Sequence, residues 1–214
     1  SESNNHAIRG VLESNKEKRH IVTTKVEHPA VLNVYRFLAK NKGYKIPELG
    51  VNKQGDLNLD ELKTVLSPDT ALLSVMAANN ETGNIFPVKE IAEIAKEKNV
   101  VFHTDAVQAA GKIPLDLKKI PVDLLSLSGH KLHTPKGIGA LYIRRGTAIT
   151  PFIIGGHQEN GRRGGTENVP YIIGLGKACE EAVAHMNEEA GHVSKLRDKL
   201  EAGLRSVITH TYIN

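Results

Sequence analysis

The chain has no tryptophan and, in 214 residues, a single cysteine, Cys179. One thiol closes no disulfide within the chain and forms no Cys-x-x-Cys pair for a metal. A reducing, cytoplasmic setting is the expectation. The histidines are scattered rather than spaced as ligands, so no metal site is expected. Aromatic residues make up only 4%, too few to build stacking platforms for bases. The net charge of +4 is dispersed, and Lys16, Lys18 and Arg19 are the nearest thing to a basic patch. Both features argue against a nucleic-acid partner. No stretch approaches the roughly 20 apolar residues of a membrane span. Ser1-Glu2-Ser3-Asn4-Asn5 does not read as a signal peptide. A Gly-x-Gly-x-x-Gly or Walker loop is also missing, which removes the usual nucleotide-binding reading.

What is present is an alternation of two periods. Ala7, Ile8, Val11 and Leu12 have helical spacing within residues 2–13, as do Val31, Val34, Tyr35 and Leu38 within 30–40. Val88, Ile91, Ala92 and Ala95 mark a further helix, and Asn58 or Asp60 caps a short one through Leu66. Strands are predicted at 21–26, 44–51, 71–77, 100–103, 122–127 and 138–143. Strands alternating with helices predict a three-layer α/β/α domain with a mainly parallel, mixed sheet. Residues 146–166 form a long polar loop rich in Gly, Arg and Thr. Two helical stripes follow. One runs through Ile172, Leu175, Ala178, Cys179, Ala182 and Met186, the other through Val193, Leu196, Leu200 and Leu204.

Ligands of open α/β sheets sit outside the carboxyl ends of the strands. His28, Asn79-Asn80-Glu81, Asp105 with Gln108, and Ser128, His130 and Lys131 all follow predicted strands. A lysine held at a strand end can serve as a Schiff-base residue, and it can equally be a solvated loop lysine. The set as a whole matches what pyridoxal phosphate requires. Lys131 suits the aldehyde, Asp105 the pyridine nitrogen, and Asn80 with Gln108 the phenolate oxygen. His28 suits the ring face, and Ser128, His130 and Ser1 the phosphate at a helix N-terminus. Taken singly, each residue has a plainer alternative. Asp105 can cap a helix, Asn79-Asn80 can be a turn, and His28 can open a helix without a ligand. Ser128-Gly129 is a common turn pair, and Thr166 with Asn168 can cap the long helix. Cys179 lies on an apolar helical stripe and reads as a core thiol.

Five segments together resemble the motifs of cysteine desulfurases of the NifS/IscS type, which are class V, fold-type I pyridoxal-phosphate enzymes. They are Val26-Glu27-His28-Pro29-Ala30-Val31, Asn79-Asn80-Glu81-Thr82-Gly83, Asp105-Ala106-Val107-Gln108, Ser128-Gly129-His130-Lys131 and Arg163-Gly164-Gly165-Thr166-Glu167-Asn168. The resemblance implies that Lys131 anchors the cofactor and moves protons, with His28 assisting. It also implies that Thr166 reaches the phosphate of a neighbouring subunit, hence a homodimer. The implied substrate is L-cysteine, converted to L-alanine and an enzyme-bound persulfide that passes to an iron–sulfur scaffold protein. Residues 1–166 are then expected to be the cofactor-binding large domain, truncated at its start. Residues 167–214 are expected to be connecting helices leading into a truncated small domain. The family's persulfide cysteine and carboxylate-binding arginine are expected to lie beyond this stretch, which leaves its own activity open. A selenocysteine lyase, a small-amino-acid aminotransferase, and a silent dimerisation or scaffold module remain alternatives.

Overall fold

The structure is a computed structural model and describes residues 1–213. Six strands form one sheet in the order β2-β1-β3-β4-β5-β6. They are β1 (His20–Thr24), β2 (Glu48–Leu49), β3 (Thr70–Ser74), β4 (Val101–Asp105), β5 (Leu124–Ser128) and β6 (Gly139–Ile143). β1 to β5 run parallel, and β6 returns antiparallel along β5, with Ser126 opposite Leu141. β2 and β3 lie on opposite sides of β1, so the winding reverses there, the position at which open α/β sheets leave a crevice.

Helices cover both faces. α1 (Glu2–Ser14) and α2 (Pro29–Lys42) pack Ala7, Ile8, Val11, Val31 and Tyr35 against Ile21, Leu72 and Leu124. α3 (Leu59–Val65) and α4 (Val88–Glu97) pack Leu62, Ile91 and Ala95 against Val22, Leu73 and Phe102 on the other face. Every residue of β3 is buried, as expected for a strand with helices on both sides. Burying a side chain such as Ile8, which has no exposed surface, stabilises the fold by about 2 kcal/mol. α3 is capped by Asn58, whose Oδ1 accepts from the Asp60 and Glu61 N–H groups at 3.0 and 3.2 Å. Pro29 opens α2, and Gly43, at φ 70°, closes it in the left-handed conformation.

Three elements differ from expectation. The strand predicted over 44–51 is regular sheet only at Glu48–Leu49. Lys45 makes an isolated bridge to His20 and Val51 one to Leu57, and between Lys45 and Glu48 the residue Pro47 offers no N–H to continue the ladder. The strand predicted through Ala77 ends as regular sheet at Ser74. Beyond it the chain still donates from Val75 and Ala77 to β4, but β1 has ended. The Glu27 carboxylate takes the Met76 N–H instead, at 2.7 Å. The two helices predicted after the long loop are one, α5 (Val169–Val207), of 39 residues. Gly191 lies between the two stripes, and a single helix-interior glycine costs only about 1 kcal/mol. None of the α5 residues is buried, and Val183, Val193, Leu196 and Leu200 are exposed. Among the described residues no helix is long and apolar enough to cross a membrane.

Candidate active site

Lys131 sits in the reversal between β5 and β6. β5 ends at Ser128, a 3-10 turn covers Gly129–Leu132, and His133 stops it at φ 66°. The Gly129 N–H donates to the Ile138 carbonyl at 3.0 Å, and the Thr134 N–H donates to the Gly129 carbonyl at 3.2 Å. A Cβ on Gly129 would stand 2.7 Å from Ile138 Cγ2, so only glycine lets the two limbs close this far. α5 supports the turn from the other side. Leu132 is buried, and it meets Gly111 together with Ala182 of α5. Lys131, half-buried, is therefore carried by a turn braced on both sides.

Asp105 ends β4 on the face covered by α1. It is 5% exposed, and each of its oxygens has one donor. Oδ1 accepts from the Val107 N–H at 3.0 Å, and Oδ2 accepts from Asn4 Nδ2 of α1 at 2.7 Å. The first bond closes a local turn, since no helix directly follows β4 for Asp105 to cap, and the second crosses the fold. No ion pair reaches this carboxylate among the described residues. Its titratable neighbours offer no cation either. His103, two residues back on the same face, is fully buried between Ser74 Oγ (2.8 Å) and Ser126 Oγ (3.0 Å). Burial pulls that imidazole down to about 4, so it is neutral at physiological pH. A buried carboxylate normally has a charged partner. A protonated pyridine nitrogen would supply one, and in this respect the site fits pyridoxal phosphate.

Gln108 is half-buried in the segment after β4. Its Oε1 accepts from Lys112 Nζ at 2.9 Å. An ammonium only donates, so the Gln108 amide nitrogen is turned away and left free to donate elsewhere. Partial burial, and then the nearby charge of Lys131, hold Lys112 below the usual lysine range. Gln108 and Asn80 line one hollow of about 450 Å³ with Ala78, Ile85 and Ile113. The two asparagines of this turn divide the work. Asn79 Nδ2 donates to the Val26 carbonyl at 2.9 Å, and its Oδ1 accepts from the Glu81 and Thr82 N–H groups. Asn80 is exposed beside it and bonds only its neighbour Glu81, at 2.6 Å.

Ser128 Oγ and His130 Nδ1 lie 2.9 Å apart at the start of the lysine turn. His28 is exposed and caps α2, its Nδ1 accepting from the Ala30 N–H at 3.1 Å. That bond leaves Nε2 free. Ser1 precedes α1, and its hydroxyl makes no cap bond. Asn4, one turn on, ties this helix end to Asp105. Thr166 is exposed, and the cap role open to it from sequence is not taken up: Asn168 is the N-cap of α5, without a side-chain cap bond. The loop leading to Thr166 is tied to α1 by Arg163, whose Nε donates to Glu2 Oε1 at 2.9 Å. Arg163, by hydrogen bond and charge, holds the Glu2 carboxyl below the usual range.

Sequence reasoning assigned nothing to Asn4, Glu27 or His103. Asn4 stands on the apolar stripe of Ala7, Ile8 and Val11, and a polar residue there was the available signal. Glu27 is 4% exposed, with Oε1 shared between the Met76 N–H and Thr24 Oγ1 and with Oε2 unpartnered. Burial, with a further push from Asp105, raises it to about 8 against an ordinary 4.5. Below the ordinary value folded and unfolded chains both hold this proton. Between the two values only the folded chain holds it, so stability falls as pH rises and levels off above about 8. Glu27→Gln keeps the shape and the acceptor for Met76 and removes the titration. The variant is expected to melt several degrees above the wild type at pH 8 and close to it at pH 5. Parallel melting curves across that range would exclude a titrating Glu27.

A doubly wound sheet whose carboxyl edge carries a lysine turn, a buried carboxylate and the amides of Gln108 and Asn80 is the large-domain scaffold of fold-type I pyridoxal-phosphate enzymes. The chain belongs to the class-V aminotransferase family, whose description matches residues 1–214. A cysteine desulfurase of Nostoc sp. is 53% identical over 214 residues, which is all of this chain and 53% of that protein. The cysteine desulfurase NifS of Azotobacter vinelandii is 51% identical over 213 residues, again 53% of its length. The solved structure of a NifS-like protein superposes with a TM-score of 0.92 at 48% identity, covering 96% of this chain and 57% of that one. The chain thus spans about half the length of the curated relatives it matches.

Proposed function

We propose that this chain is the cofactor-binding part of a pyridoxal-phosphate-dependent cysteine desulfurase, which converts L-cysteine to L-alanine and a protein persulfide. The observation that carries the proposal is Asp105, a buried carboxylate without a cation, at the strand edge that also bears Lys131. The bound cofactor supplies a protonated ring that accepts the electron pair left when the substrate's α-proton departs. Asp105 keeps the proton on the ring nitrogen. Lys131 holds the aldehyde carbon and then carries the α-proton, with His28 against the ring face. Gln108 presents its free amide nitrogen to the phenolate oxygen, and Asn80 sits on the substrate-carboxylate side. Ser128, His130 and Ser1 hold the phosphate, helped by the positive end of α1.

Thr166 is assigned to the phosphate of a second copy, which makes the protein a homodimer with shared sites. The large domain takes in residues 1–166, and 167–214 lead toward a second domain. Cys179, half-buried on α5, is not assigned the sulfur-accepting role. That thiol is placed in the part of the relatives' length that this chain does not span. It attacks the substrate sulfur, the C–S bond breaks, and the carbon side leaves as alanine once protonated. The persulfide passes to an iron–sulfur scaffold protein, in the cytoplasm. The test is to supply the parent protein with pyridoxal phosphate, L-cysteine and a dithiol that reduces the persulfide to thiol and sulfide, and to measure sulfide and alanine. Equimolar sulfide and alanine are expected. A keto-acid product would assign the aminotransferase reading instead, and an absence of both products would remove the enzyme assignment.

A further inference from the structure

We propose that Asn4 is a positioning residue that clamps the Asp105 carboxylate in one orientation for its pairing with the cofactor's ring nitrogen. The inference rests on the pyridoxal-phosphate reading above. Asn4 is 2% exposed on a helix face otherwise filled by Ala7, Ile8 and Val11. A buried amide is unfavourable there unless its bonds are used. Nδ2 is used, donating to Asp105 Oδ2 at 2.7 Å across 101 positions of sequence, whereas Oδ1 has no partner. A carboxylate only accepts, so the amide must present its nitrogen and its orientation is set. The Val107 N–H alone would hold one oxygen and leave the carboxylate free to turn about its Cβ–Cγ bond. The second donor removes that freedom. Neither buried neighbour can replace it. His103 has both ring nitrogens occupied by Ser74 and Ser126, and no hydrogen bond joins Glu27 to Asp105, its one engaged oxygen serving Met76 and Thr24.

The experiment has two arms. Asn4→Leu keeps the branched shape and removes the donor, and Asn4→Ser, too short to reach Asp105, serves if Asn4→Leu does not fold. In the cofactor-free chain, denaturation is measured for the Asn4 variant, for Asp105→Leu and for the double variant. The Asn4 change is expected to lower the folding constant at least tenfold where Asp105 is present and by less than threefold in the Asp105→Leu background. An equal loss in both backgrounds overturns the proposal and leaves Asn4 a packing residue. In the second arm, pyridoxal phosphate labelled with 15N at the ring is bound to wild type and variant. The ring-nitrogen signal is expected to move toward the unprotonated value in the variant, with affinity about tenfold weaker. An unmoved signal at full occupancy also overturns the proposal. If the wild type takes up no pyridoxal phosphate, the proposed function fails, and the first arm still decides the coupling of Asn4 to Asp105.

Discussion

Lys131→Ala is expected to abolish the visible absorbance that pyridoxal phosphate gives when bound through an amine of the chain, and to stop turnover in the parent protein. The physical case lies in the turn. Closure of Gly129 on Ile138, and of Leu132 on Gly111 and Ala182, fixes the backbone from which this lysine projects. No other lysine of the described site stands free in such a place. Lys112, its neighbour, is engaged with Gln108. Alanine leaves the turn intact because nothing in it depends on the side chain beyond Cβ. Folding should therefore be unchanged, while covalent attachment and proton transfer are lost together. Proton transfer alone is worth about 10² to 10⁴ in rate, so the combined loss is at least about 10³-fold. Borohydride should fix cofactor to the wild type and not to the variant. A band that survives dialysis in Lys131→Ala would assign the attachment to another lysine.

Asp105→Asn carries the second large effect, and its sign differs between the empty and the loaded protein. In the empty chain the carboxylate is buried, without a cation, and has Glu27 nearby. Removing the charge relieves that cost. The replacement amide still accepts from the Val107 N–H, and the unpartnered Oδ1 of Asn4 becomes available to its NH2 when the Asn4 amide turns over. Thermal stability without cofactor should be equal or higher. With cofactor, the ring nitrogen loses its counter-charge. Breaking a buried pair by removing one partner costs about 3–5 kcal/mol, which corresponds to at least a hundredfold loss of affinity and a larger loss of turnover. Titrating pyridoxal phosphate into both proteins, alongside melting curves, reads the two signs separately. Unchanged affinity and turnover in the parent protein would remove Asp105 from the site.

Local patterns carried far in this chain wherever one element decides its own structure. The stripes of α1, α2 and α4 were legible because each buries one face against a sheet. The carboxyl-edge residues were legible because strand ends can be counted without knowing which strands are neighbours. Legibility failed where a partner from elsewhere intervenes. β3 ends at Ser74 because β1 has run out and a carboxyl from the loop after it takes the next N–H. Asn79 and Asn80 look alike in sequence. One is consumed by the Val26 carbonyl and its own turn, and the other is left facing the hollow with Gln108. His103 carried no sequence signal for its place in the hydrogen-bonded row Ser74–His103–Ser126, since the three residues lie on three strands.

The sequence by itself determined the α/β class, the strand ends that hold the polar residues, and the family to which its motifs point. Those properties follow from period, turn chemistry and residue type, all local. Only the tertiary structure decided that Asp105 is held from α1 by Asn4, that Glu27 is buried with its proton, and that the Lys131 turn is braced by α5. Each depends on groups far apart in the chain, brought within hydrogen-bond or packing distance by the winding of the sheet. The energies involved come from burial, which no single segment possesses before the layers close.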